Sequence, residues 1–135
     1  MFGLFKKKNK PEKIEEKIEL SIEEKERLTK ENQQLMTQIA ELEQADSAEV
    51  SDLAGLYEKL GLNYAELDQV DSAIESLEKS LDYKLTIGDG YKKLMSLYNA
   101  KRAEAARNGN DAGIDKYMGK MDDMRQIAKK VTISR

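Results

Sequence analysis

Acid–base catalysis, nucleophilic attack and zinc binding draw first on histidine and cysteine, and this chain of 135 residues contains neither. There is therefore no imidazole base, no thiolate nucleophile and no zinc ligand set of the usual kind. Carboxylates are abundant, but Glu15 with Glu16 and Asp122 with Asp123 are sequence neighbours. Adjacent side chains on a helix point to different sides and cannot converge on one reacting atom. The run Gly88-Asp89-Gly90 lacks both the preceding strand and the Lys-Ser/Thr pair of a phosphate loop. The expectation is a protein that is not an enzyme and that uses no cofactor and no metal.

Two charged clusters bear on binding instead. At the N-terminus Phe2, Leu4 and Phe5 precede Lys6, Lys7 and Lys8. Apolar side chains can enter a lipid headgroup layer while each lysine contributes about 1 kcal/mol against anionic lipid, so this segment is a candidate for peripheral membrane contact. A frayed terminus with a solubilising lysine run accounts for the same residues. Near the other end Arg125, Lys129, Lys130 and Arg135 could meet phosphates, yet no aromatic surface accompanies them and the net charge is −3. Favourable interaction with a helix C-terminus explains them without a ligand, and nucleic acid is disfavoured as a partner.

The elements that carry these residues are helical throughout. Charged residues make up 36% of the chain, proline occurs once, and Ala, Glu, Lys and Leu dominate, which predicts an all-α protein with no sheet. No apolar run approaches the roughly eighteen residues of a membrane span, and the absence of cysteine fits a reducing compartment, so the expected location is cytoplasmic, with peripheral membrane contact as an addition. Three parts are expected: a basic and apolar N-terminus over 1–10, a helical arm over 11–46, and a helical repeat domain over 47–135. Charge is uneven along them. Residues 47–87 carry three basic and nine acidic groups, and residues 88–135 carry eleven and six.

In the arm, Pro11 is suited to a helix start and Ser21 with Glu24 reads as a capping box. Leu28, Asn32, Leu35, Ile39 and Leu42 alternate by four and three, and Ile14 and Ile18 continue the register backwards. Such a stripe with one buried Asn fits a parallel two-stranded coiled coil, hence a homodimer. It fits equally a helix that covers the first repeat of its own chain. Asp46 or Ser47 can cap the next helix, which runs to about Leu67 with Val50, Leu53, Leu56, Tyr57, Leu60 and Tyr64 inward. Its partner starts near Asp71 and buries Ala73, Ile74, Leu77 and Leu81. After Gly88 to Gly90, Tyr91, Leu94, Met95, Tyr98, Arg102 and Ala106 form the next stripe. Asn108 to Asp111 is a turn, and Ile114, Tyr117, Met118, Met121, Met124, Ala128 and Val131 line a last helix that caps the array.

Thirty-four residues separate Tyr57 from Tyr91, Leu60 from Leu94 and Tyr64 from Tyr98. A period of this length marks stacked helical hairpins. Tyr57, Leu60, Gly61 and Tyr64, followed by Ala73, Leu77 and Ser80, resemble the tetratricopeptide repeat (TPR) pattern W-x2-L-G-x2-Y, A-x3-F. Tyr91, Leu94, Met95 and Tyr98, with Gly113, Ile114 and Tyr117, resemble a second repeat lengthened by six residues around 101–113. The resemblance covers about 54–121. It implies a TPR-like superhelix of antiparallel hairpins that binds a protein or peptide in a concave groove, as an adaptor or scaffold. By the motif, Glu58, Leu62, Ala65 and Glu66 of one repeat would line that groove beside Lys92, Ser96 and Asn99 of the next. Leu62 stands where the carboxylate-clamp subset has Asn, so that ligand is not carried over. The alternative is a structural homo-oligomer paired through the arm and held peripherally at a membrane.

Overall fold

The computed structural model describes residues 20–45 and 49–134, the last three of these as backbone only. The cluster Phe2 to Lys8, Pro11, Ile14, Ile18, Asp46, Ser47 and Arg135 lie outside the described residues. Among those described there are five helices and no strand: α1 (Ile22–Gln44), α2 (Val50–Glu66), α3 (Val70–Tyr83), α4 (Asp89–Arg107) and α5 (Asp111–Ser134). Each helix packs on the next as an antiparallel neighbour, and α2 also touches α4.

Local sequence sets the boundaries. Ser21 and Glu24 form the expected capping box, with the Glu24 N–H donating to Ser21 Oγ at 3.1 Å and the Ser21 N–H donating to Glu24 Oε1 at 3.4 Å. The turns inside the two hairpins are alike. After α2 the Asp68 N–H donates to the Ala65 carbonyl and the Gln69 N–H to that of Tyr64; after α4 the Gly109 and Asn110 N–H groups do the same to Ala106 and Ala105. Asp68 and Gly109 both take the left-handed conformation, at φ 62° and 68°. This is the Schellman arrangement, which satisfies carbonyls that a helix end would otherwise leave open.

With the turns equal, the extra residues of the second hairpin lie in its first helix. The segment α2 ends nine residues after Tyr57, whereas α4 ends sixteen after Tyr91. Hairpin closure shifts accordingly. A Cβ on Gly61 would lie 2.6 Å from Leu77 Cγ, so α2 and α3 cross where Gly61 leaves no side chain. In the second hairpin a Cβ on Gly113 would lie 2.9 Å from Ala105 Cβ, close to the turn.

The core has two linked parts. Leu35 and Ile39 of α1 join Leu53, Tyr57 and Leu60 of α2, and Leu77 of α3 joins Leu94 and Tyr98 of α4 and Met124 of α5. The arm's stripe is thus used inside the chain: Leu28, Asn32, Leu35 and Ile39 are buried, and Leu42 packs on the first cluster. Three inward expectations differ. Val50 is 51% exposed because it opens α2 a turn before the packed Leu53. Ala105 rather than Ala106 is buried, because α5 approaches α4 at Gly113. Met118 is half exposed, lying on the flank of α5 that no further helix covers among the described residues.

Candidate functional site

The helices α2 and α4 present a shallow recess of about 420 Å³ lined by Leu62, Glu66, Asp89, Lys92, Lys93 and Ser96. Four residues named from the repeat pattern, Leu62, Glu66, Lys92 and Ser96, come together here, and the other three do not line the recess. Glu58 is engaged elsewhere: its Oε2 accepts the Gly90 N–H at 2.8 Å and so satisfies one of the open donors at the start of α4. Ala65 is half-buried. Asn99 is exposed, and its Oδ1 accepts from Arg102 Nε at 3.0 Å.

The recess follows from α2 and α4 lying side by side. Leu62 follows directly after Gly61, which faces α3, and so turns away from α3 toward the side shared with α4. Lys92 and Lys93, one turn inside α4, supply positive charge; Glu66 and Asp89 supply negative charge. No ion pair among the described residues uses these four, so their charges are available to a ligand. Asp89 and Lys93 are the two lining residues that the repeat pattern alone did not indicate.

Elsewhere the polar groups bind helix to helix. Glu43 of α1 accepts from Tyr57 at 2.7 Å and from Tyr83 at 3.1 Å, and the two rings stack with centroids 5.8 Å apart. Burial, followed by the Glu43 hydrogen bond, raises the Tyr57 phenol well above its usual range; for Tyr83 the Glu43 hydrogen bond is the first cause. Tyr98 donates to Glu78 of α3 in a short hydrogen bond, and Lys120 of α5 reaches the same Glu78 oxygen at 3.2 Å. Burial, then this bond, raises Tyr98 strongly as well. Lys101 pairs with Asp71 at 2.9 Å, a contact that raises the lysine, while its burial acts the other way.

The seam between α1 and α2 holds a buried polar pair. Asn63 Nδ2 donates to Asn32 Oδ1 at 3.0 Å and to Glu31 Oε1 at 2.7 Å, while Asn32 Nδ2 is buried without a partner among the described residues. Asn32 was legible as an interruption of an apolar stripe; its partner Asn63 was not, since nothing in a helical pattern singles out one polar residue of α2.

No group of three or more acidic side chains among the described residues is arranged to hold a metal ion, and no helix there is long and apolar enough to cross a membrane. Compared with protein-family models, with curated proteins and with solved structures, the chain gives no match. The class defined by the coordinates is a small all-helical protein of sequentially packed antiparallel helices.

Proposed function

We propose that this protein is a non-enzymatic interaction module built on two TPR-like hairpins, which binds a protein or peptide segment along the groove between α2 and α4. One observation carries the reading: residues chosen from the repeat pattern on two separate helices, Leu62 and Glu66 with Lys92 and Ser96, line a single recess. The 34-residue period and the matching turns support the same reading. Within it, Leu62 offers the apolar contact and the mixed charges orient the ligand, since opposite charges at fixed places favour one direction of binding. An adaptor of this kind needs no catalytic group.

Affinity capture from native cell extract with the full chain and with Lys92→Glu/Lys93→Glu tests it. Both lysines are exposed, so the variant folds. The expected outcome is a partner held by the natural chain and lost from the variant; an identical set of proteins on both removes the groove from the proposal. Pairing of copies through the arm has less support, because the apolar stripe that would form the pair is already occupied by α2.

A further inference from the structure

The helices α3 and α5 flank α4 and meet one another through side chains without close backbone approach, and between them lies a cleft of about 380 Å³. It shares no residue with the recess between α2 and α4. The floor and walls are apolar, from Leu81, Leu85, Leu94, Met124 and Ile127, with the rings of Tyr91 and Tyr98. Ile127 remains 45% exposed beside it. A pocket of this size accommodates two or three side chains, and apolar walls with a few polar groups at the edge are the usual form of a recognition site.

The edge carries the discriminating chemistry. Along α3 the carboxylates Asp71, Glu75, Glu78 and Asp82 recur at four, three and four residues, which places them on one side of the helix. Glu78 and Asp82 line the cleft. Lys120 crosses from α5 to Glu78 at 3.2 Å, while no cation among the described residues pairs with Asp82. Both members of the Lys120–Glu78 pair are about one-third exposed, and such pairs contribute at most about 1 kcal/mol. An incoming cation can therefore replace Lys120 at little loss and gain Asp82 in addition.

We propose that this cleft is a second docking surface whose occupant is an amphipathic segment of a partner protein, apolar side chains against Leu85 and Ile127 and a lysine or arginine against Glu78 and Asp82. The protein then holds two ligands at once, one on α2 and α4 and the other between α3 and α5. The full chain is titrated against two dye-labelled synthetic helical peptides of equal length, one of leucine and lysine and one of leucine and glutamate, with fluorescence anisotropy as the readout. The Leu/Lys peptide binds saturably and the Leu/Glu peptide does not. Asp82→Lys reverses the charge at the edge and sets like charges together, and Ile127→Lys replaces an apolar wall with a cation that repels the peptide, so each weakens binding by about tenfold or more. Lys92→Glu/Lys93→Glu, on the other recess, leaves it unchanged, and circular dichroism confirms that all variants keep their helix content. Equal binding of both peptides, or full binding by Asp82→Lys and Ile127→Lys, overturns the proposal. Loss confined to the Lys92→Glu/Lys93→Glu variant also overturns it, while leaving the first groove intact.

Discussion

The two hairpins share a turn but close in different ways. In the first, α2 and α3 meet at Gly61, where Leu77 fills the space a side chain would take, and both helices are short. In the second, longer helices meet at Gly113 and Ala105 near the turn, and flexible methionines at 121 and 124 fill the interface further along. Their charges are opposed as well, acidic in the first and basic in the second. A hairpin can therefore keep its turn and its outer aromatic positions while its crossing point moves, because the turn is satisfied by backbone hydrogen bonds alone.

That contrast breaks most sharply at the crossing points. Gly61→Leu forces a side chain into fully buried Leu77 and is expected to lose about 3 kcal/mol. Gly113→Ala brings its methyl to 2.9 Å from Ala105 Cβ, an atom fixed to the backbone of α4, so the helices must part, but the added group is small and gains helix propensity, and the loss is about 1 kcal/mol. Urea unfolding of both variants checks the pair; equal losses would mean that the hairpins close alike.

A smaller difference lies in the phenols. Tyr57 and Tyr98 have folded pKa values raised above the unfolded value of 10.0. Above that pH the unfolded chain releases protons that the folded chain retains, so stability falls as pH rises through the interval. Lys101, also raised, acts in the same sense: its contribution is present below the unfolded lysine value and is lost through the folded one. Ultraviolet titration of phenolate in the folded protein should show Tyr57 and Tyr98 ionising last, and Tyr98→Phe should flatten the alkaline decline in melting temperature.

The smallest effect tests where the hairpins agree. Asp68 holds a left-handed conformation that glycine adopts without strain, so Asp68→Gly is expected to gain up to about 1 kcal/mol and Gly109→Ala to lose a similar amount. Thermal unfolding of the two variants reads the opposite signs.

Much of the fold could be read before any coordinates. Tyr57, Leu60, Leu94 and Tyr98 were found from spacing, the start of α1 from Ser21 and Glu24, and the start of α5 from the Asn108 to Asp111 turn, because each is a local rule with a fixed period or motif. What stayed hidden was set by packing between distant segments. Nothing in the sequence singled out Glu43 or Glu78, and Glu58 read as a candidate ligand contact, yet each accepts a hydrogen bond from another helix. The seam Leu28 to Leu42 fitted two partners equally, since an apolar stripe records that it is buried and not by what. The hydrogen bond from Gly90 N–H to Glu58 was hidden for the same reason, since the pairing of α2 with the start of α4 is set by tertiary packing.

The lengthening of α4 has a geometric meaning. Seven residues make nearly two full turns, so the far end of the helix is rotated by only about 20° relative to a shorter version. Tyr91, Tyr98 and Ala105, spaced by seven, consequently stay on one face, and the added part still meets α5. A gain of six or eight would have swung that face toward water. Growth of this helix is thus quantised: it can lengthen or shorten in heptads without disturbing what its neighbour sees, and the seven residues that separate sixteen after Tyr91 from nine after Tyr57 are one such step.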